Sequence, residues 1–373
     1  MNVIEQKKRT ICFLTTTLEG GGAQRVMVNI ANCFARDGYN THIICFVAKN
    51  SPPIYSVDSR IMLHNIPRGY AKNDRILSKC TKLLTAVIKE INPDVIIPFL
   101  MPVTAYAFKV AKKLGKKIIV SERNDPKVTP SDPFWRKQRD YIFAHSDACV
   151  FQTKDALSYF GTKRIKKIEI IRNPINLSGV RTDVVYAKDR SHRIVCVGKY
   201  EPQKNLEFLL DIFYEFSRKH DDYHLEVYGN DFHNHRVTLH QKAIAMGIED
   251  KVHLFDAQPD ILNIIYDARM SVLPSKYEGM PNALIESVSL GIPSIASDCP
   301  AYGGRMVIDS GKNGFLLEVD DKNDFIEKMC LLAENDEIAD KFTVEGKKVK
   351  EKFDLQEVYS AWKTLVETVV EAK

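Results

Sequence analysis

Short apolar runs alternate with stretches of helical spacing along the whole chain. Strand-like runs lie at 10–15, 41–47, 94–99, 117–121, 148–152 and 168–171. Between them, apolar residues recur every three or four positions at 23–37, 76–91, 103–114, 134–144 and 153–160, the signature of amphipathic helices. A loop-rich segment, 173–192, breaks the pattern and reads as a linker. A second series follows, with strands at 193–197, 224–228, 252–255, 270–274, 293–297 and 314–317. Its helices fit 206–218, 235–246, 259–267, 283–290 and 322–332, and a last amphipathic helix covers 356–372. Strands alternating with helices predict βαβ units and parallel sheets. At 373 residues the chain exceeds one ordinary core. The expected architecture is α/β, two doubly wound domains facing across a cleft, with a ligand outside the carboxyl ends of the strands. The expected boundaries are 1–185 for the first domain, 186–353 for the second and 354–373 for the last helix.

Composition narrows the class. A hydrophobic content of 45% with 27% charged residues suits a soluble globular protein. Eight cysteines lie scattered, without a Cys-x-x-Cys pair or Cys/His cluster, as reduced thiols of a cytosol would. No apolar leader opens the sequence, and the largely apolar stretch 95–108 carries Pro98 and Pro102 and is too short to span a bilayer. The net charge of +5 hides an asymmetry. Residues 1–190 hold 32 Lys and Arg against 16 Asp and Glu, and residues 191–373 hold 21 against 32. The first half should therefore meet a polyanion. Its basic residues cluster at Lys109, Lys112, Lys113, Lys116 and Lys117, and at Lys163, Arg164, Lys166 and Lys167. No nucleic-acid recognition motif accompanies them, whereas an anionic membrane surface attracts such clusters.

Three strand-to-helix loops carry candidate chemistry. The first is Glu19-Gly20-Gly21-Gly22-Ala23-Gln24-Arg25, where glycines admit close backbone approach and a helix N-terminus favours an anion. It is neither a P-loop nor a dinucleotide fingerprint. The second, Val197-Gly198-Lys199-Tyr200-Glu201-Pro202-Gln203-Lys204, offers two lysines to one phosphate pair. The third runs from Glu278 through Gly279, Met280, Pro281, Asn282, Ala283 and Leu284 to Glu286, and Gly291 closes its helix. A diphosphate at that helix N-terminus and a ribose on Glu286 would make a nucleotide-sugar site. The competing reading is a capping glutamate and a solvent-facing one. No Asp-x-Asp pair supports a metal, His233 and His235 stand alone, and no nucleophile elbow is present.

In order, Gly21-Gly22-Ala23-Gln24-Arg25, Val197-Gly198-Lys199 with Lys204-Asn205, and the Glu278–Glu286 run resemble the Gly-Gly-Ala-Glu-Arg, Val-Gly-Arg…Lys-Asn and Glu-x7-Glu motifs of retaining glycosyltransferase family 4. The resemblance covers almost the whole chain and implies the GT-B fold, with the first domain receiving the acceptor and the last helix returning to it. It implies a metal-independent hexosyltransferase without cofactor, using a nucleoside diphosphate sugar, most often uridine-linked, and a glycan or lipid-linked acceptor in capsular or exopolysaccharide synthesis. Lys199, Lys204 and Glu278 would be catalytic. Gly20, Gly21, Gly22, Ala23, Gly198, Gly279, Met280, Pro281, Asn282, Leu284 and Glu286 would bind the donor. The family's Ser-Glu-His context reads Ser121-Glu122-Arg123-Asn124 here, which makes Glu122, Arg123 and Asn124 a candidate acceptor or catalytic loop. Lys199 stands where the family often carries Arg, and Asp256-Ala257 where a glycine is common. A cytoplasmic protein held at the inner membrane face through 109–117, with no nucleic-acid partner, is the expected setting. An inactive partner subunit and a nucleotide-sugar epimerase are the alternatives.

Overall fold

The computed structural model describes residues 9–47, 52–67, 74–161 and 165–372. They divide into two compact units: one runs to Pro174 and resumes at Leu355, and the other is Ile175–Asp354. The first part of the chain gives β1 (Thr10–Thr15), α1 (Gly22–Arg36), β2 (Asn40–Val47), β3 (Met62–Pro67), α2 (Asp74–Ile91), β4 (Val95–Pro98) and α3 (Val103–Leu114). Next come β5 (Lys117–Ser121), α4 (Pro133–His145), β6 (Ala148–Phe151), α5 (Lys154–Phe160) and β7 (Ile168–Ile170). The second unit holds β8 (Ser191–Val197), α6 (Leu206–Ser217), β9 (His224–Tyr228), α7 (His235–Met246), β10 (Val252–Phe255), α8 (Ile261–Ile265) and β11 (Ala268–Leu273). It ends with α9 (Asn282–Ser289), β12 (Ser294–Ser297), β13 (Phe315–Leu317), α10 (Lys322–Glu334) and α11 (Asp336–Lys347). The last helix is α12 (Leu355–Glu371).

Every described strand pairs in parallel, in the orders β3-β2-β1-β4-β5-β6-β7 and β10-β9-β8-β11-β12-β13. Parallel sheets are covered on both faces, so their central strands are apolar throughout. In β1, Ile11 and Phe13 face one core with α1 and α12, while Cys12 and Leu14 face another with α2, α3 and α4. Ile194 and Cys196 of β8 likewise oppose Val195 across the second sheet. All eight cysteines are unpaired, seven of them buried.

The last helix belongs to the first unit. Trp362 of α12 is fully buried, and its ring stacks 6.1 Å from that of Phe99. Polar contacts fix its register: Tyr359 Oη donates to Asp37 at 2.6 Å, Lys363 pairs with Asp37 at 2.7 Å, and Tyr39 Oη donates to Glu367 at 2.6 Å.

Three features depart from the sequence expectation. The division falls at 174/175, not 185/186, because Ile175 is buried in the core of the second unit and its N–H donates to the Phe353 carbonyl. β3 was not anticipated. It is an edge strand with Met62 and Leu63 exposed, so no alternation marks it. Helix α11 was not anticipated either; it follows α10 directly, the two separated only by Asn335, whose side chain caps α11.

On β2 and β3, His42 Nδ1 lies 2.9 Å from His64 Nε2 and the rings stack at 5.2 Å. One nitrogen must accept, so the contact is lost if both rings are protonated. Burial first, and His64 second, push His42 down from 6.5 to about 4. The unfolded chain therefore binds more protons across that window, and this share of stability is complete above pH 6.5 and lost as pH falls toward 4. Urea unfolding midpoints across that window should fall with pH in the wild type and fall less in His42→Asn; parallel slopes would remove the assignment.

Candidate active site

In the second unit, β8 and β11 are neighbours, and the loops that leave their carboxyl ends are stitched together. Lys276 N–H donates to the Gln203 carbonyl at 2.9 Å, and Gln203 Nε2 donates to the Tyr277 carbonyl at 2.8 Å. Between the loops lies an ion pair of Lys204 Nζ with Glu278 Oε1. Ser275 Oγ donates to the same carboxylate oxygen at 2.8 Å, and Gln203 Nε2 reaches Oε2 at 3.3 Å. Glu278 is buried and Lys204 is half-buried. Burial works against the ammonium of Lys204, but the carboxylate and its hydrogen bond outweigh it and hold the lysine above its ordinary value. A charge pair removed from water is tolerated only with such complete satisfaction.

Glycines let the backbone close up here. The Lys204 stem lies on Gly198, where a Cβ would meet Lys204 Cε at 2.9 Å. A Cβ on Gly229, just past β9, would sit 1.9 Å from the Gly198 carbonyl oxygen. A Cβ on Gly303 would sit 1.9 Å from that of Gly279. The loop after β12 thus presses on the start of α9, and it carries Ala301 and Tyr302 at φ 67 and 49, each an uncommon conformation for a residue with a side chain. Four neighbouring strands, β9, β8, β11 and β12, bring their carboxyl-end loops together in this way.

The sequence candidates fall into place unevenly. Gly279, Met280, Pro281 and Leu284 are buried around the start of α9, which no side chain caps and no acidic residue opens. Glu286 is buried on α9, not solvent-facing. Asn282 is half-buried at the first helical position. Lys199 does not share a partner with Lys204: its ammonium is 3.8 Å from Glu201 and 5.7 Å from the Phe232 ring centre. The sequence reading missed Gln203, Ser275, Gly229 and the Gly303-Gly304 loop. The adjacent glycines after an apolar run were the available signal for the last.

In the first unit, Gly20 and Gly21 take φ 140 and 126, which a side chain would oppose, and Gly22 opens α1. Tyr55 Oη accepts from Gly21 N–H at 2.7 Å and donates to the Gly21 carbonyl at 3.0 Å. The Gly21 N–H expected to face an anion is thereby engaged within the fold; Ala23 follows within the first turn of α1. Past β5, Glu122 Oε1 accepts from the N–H groups of Arg123 and Asn124 at 3.0 and 3.1 Å, and Oε2 lies 3.4 Å from Arg139 Nη1. Burial pushes its carboxyl up to about 7 against the pull of Arg139 and those N–H groups. Asn124 Oδ1 accepts from Asp125 N–H at 2.9 Å. Arg123 lies with its guanidinium 4.4 Å from the Phe99 ring centre and 5.5 Å from that of Trp362, and burial pushes it down to about 9.

Among the described residues, one group brings three metal-ligating atoms within 4.8 Å of one another, His220, Cys330 and Glu334. It lies past the C-terminus of α6 and on the last turns of α10, at the opposite edge of the sheet from these loops.

Residues 20–178 match the family described as Glycosyltransferase Family 4, and residues 191–335 the family described as Glycosyl transferases group 1. The chain is 25% identical over 372 residues to a GalNAc-alpha-(1->4)-GalNAc-alpha-(1->3)-diNAcBac-PP-undecaprenol alpha-1,4-N-acetyl-D-galactosaminyltransferase of Campylobacter jejuni, covering 97% of this chain and 99% of that one. Its fold matches sucrose-phosphate synthase from Thermosynechococcus elongatus with a TM-score of 0.83 at 16% identity, over 98% of this chain and 100% of that one. It also matches Anabaena Alr3699/HepE, solved in complex with UDP-glucose, with a TM-score of 0.81 at 13% identity, over 96% and 99% of the two chains.

Two substitutions test the loop architecture without any ligand. Gly303→Ala should lower the melting temperature sharply, since backbone and not a side chain must yield. Lys204→Ala should cost about 3–5 kcal/mol by leaving the Glu278 carboxylate buried without its cation. Adding Glu278→Ala should recover part of that loss in a double-mutant cycle of denaturant unfolding; additive losses would mean that the pair is not coupled.

Proposed function

This chain belongs to the GT-B glycosyltransferases, and on that basis we propose that it moves a hexose or N-acetylhexosamine from a uridine diphosphate sugar to a glycan or lipid-linked acceptor, with retention, in cell-surface polysaccharide synthesis. The observation that carries this reading is the stitched pair of loops holding Lys204 and Glu278 beside the start of α9. Support for the acceptor comes from the Campylobacter relative, named for a diphospho-undecaprenol-linked glycan, and for the donor from the Anabaena protein solved with UDP-glucose.

In the proposed reaction, the bond from the anomeric carbon to the β-phosphate oxygen breaks. An acceptor hydroxyl oxygen bonds to the same face of that carbon, and its proton passes to the departing phosphate. The cost lies in the charge gathering on the diphosphate, and fixed positive groups lower it. Lys204, Lys199 and the positive end of α9 supply them, so this reading calls on no metal or cofactor. The diphosphate takes over the Lys204 ammonium, and Glu278, kept in place by Ser275 and Gln203, accepts hydrogen bonds from donor-sugar hydroxyls. Glu286 takes the ribose. The Gly20–Ala23 loop is assigned to the donor and the 122–124 loop to the acceptor or the catalytic step, as the resemblance implies.

The setting follows from charge. The first unit, 1–174 with 355–373, holds 31 Lys and Arg against 17 Asp and Glu, and the second holds 22 against 31. Lys109, Lys112 and Lys113 are exposed on α3, a helix without a single acidic residue. Lys163 and Arg164 of the second cluster lie outside the described residues. No described helix is long and apolar enough to cross a membrane. The reading places the protein peripherally at the inner membrane face, bound to anionic lipid through α3.

A donor screen tests the function. Uridine- and guanosine-diphosphate sugars are mixed with purified protein and chelator, and released nucleotide is followed with and without bacterial lipid extract. Release from one uridine-linked donor, raised by lipid, is expected. An isomerised donor without transfer would instead identify an epimerase, and neither release nor binding an inactive partner. Glu286→Ala should weaken donor binding and Lys204→Ala should slow turnover ~10²-fold, as loss of a charge-stabilising donor does. Flotation with anionic liposomes should carry the protein at low salt, and absence of binding there removes the membrane assignment.

A further inference from the structure

Three successive strand ends of the first unit converge on one buried polar cluster. Arg123 stands two residues past β5, Gln152 follows β6 directly, and Asn173 lies three residues past β7. Asn173 Oδ1 accepts from Arg123 Nη1 at 3.0 Å and from Gln152 Nε2 at 2.6 Å. The amide thus holds the guanidinium by one corner while the rings of Phe99 and Trp362 fix its plane.

The opposite edge of the guanidinium is unused. Arg123 is only 8% exposed, yet among the described residues its Nε and Nη2 have no hydrogen-bond partner. Those two N–H groups run parallel along one edge of the plane and form the fork that grips two oxygens of a phosphate or carboxylate. Gln152 Oε1, in the same cluster, is also without a partner and suits a hydroxyl donor. The carboxylate that acts on Arg123, Glu122, has its oxygens turned to the backbone N–H groups of Arg123 and Asn124 and to Arg139. A buried cation whose fork meets no anion is a costly arrangement for structure alone and a ready one for an anionic ligand.

We propose that Arg123, oriented by Asn173 and flanked by Gln152, is a binding residue for a phosphate group of the substrate, gripped side-on through Nε and Nη2. The inference rests on the transferase reading and adds Arg123 to the phosphate-binding residues of that reading. The phosphate can come from the donor diphosphate or from a diphosphate-bearing acceptor. A phosphate would supply Nε and Nη2 with the hydrogen bonds that the described residues leave unmade. The neighbouring Trp362 then reports the event.

The chain has two tryptophans, so Trp135→Phe leaves Trp362 as the single reporter. Inorganic pyrophosphate titrated into the full-length Trp135→Phe protein should give a saturable change in its fluorescence. Arg123→Lys, which keeps the charge but loses the fork, should weaken that affinity at least ~10-fold, a full hydrogen-bonded charge contact being lost. Arg123→Gln should abolish it. Equal affinity in Arg123→Lys, or no response in the parent, overturns the assignment. UDP binding measured on the same samples keeps the two readings apart: UDP binding without a pyrophosphate response refutes this subsite alone, and loss of both refutes the transferase reading. Steady-state kinetics name the source. A raised KM for a diphosphate-bearing acceptor with an unchanged donor KM assigns the acceptor phosphate, and the reverse assigns the donor. Unchanged values for both overturn the proposal.

Discussion

A parallel sheet forces the chain to cross back over it after each strand, and every strand-to-helix turn then emerges at the same edge. Both units obey this constraint, and the rest of the molecule follows from it. Strand interiors, flanked by helices on both faces, had to become continuously apolar. Chemistry could only collect at the carboxyl ends, where neighbouring loops such as those after β8 and β11 are close enough for Gln203 to bond Tyr277 and for Lys204 to find Glu278. Distance along the sequence is irrelevant to this meeting, since strand order in the sheet decides it.

Buried charge is handled in two ways. Lys204 and Glu278 satisfy one another, and Ser275 and Gln203 complete the carboxylate's shell. The pair is held in place before any ligand arrives, which suits a site whose ligand carries charge of its own. Arg139 is likewise saturated, by the carbonyls of Pro126 and Thr129 and by Asp140. Arg123 is buried as deeply and left incomplete on one edge. Buried Arg190 also keeps an unpartnered Nε, but both of its Nη atoms are held by the Ala268 and Gly291 carbonyls and Thr343, whereas Arg123 leaves both Nε and Nη2 without a partner among the described residues.

Much of this was legible because the signals were local. Glycines at strand-to-helix junctions marked Gly20–Gly22, Gly198 and Gly279, and the two hydrophobic periods marked most strands and helices. What escaped depended on partners far apart in sequence. Gln203 and Ser275 look like ordinary loop residues until the sheet order places them around Glu278. Gly229 reads as a turn residue until its approach to Gly198 is seen. β3 carries no alternation, being an edge, and the unit boundary moved because Ile175 is an apolar core residue inside a polar-looking linker. Lys204 likewise meets Glu278 across 74 residues of sequence, a pairing that only the strand order reveals, while Lys199 lies beside its near neighbour Glu201.

The return of α12 to the first unit has a consequence for how the protein comes into being. The face of the first sheet bearing Phe13 and Phe99, and Phe34 of α1, is covered by Trp362, Leu365 and Val366, residues made only after the whole of 175–354. During synthesis the second unit holds all of its core before the first does. The earlier-made half must wait with an apolar face open until the chain comes back to close it, so assembly order inverts the order of translation.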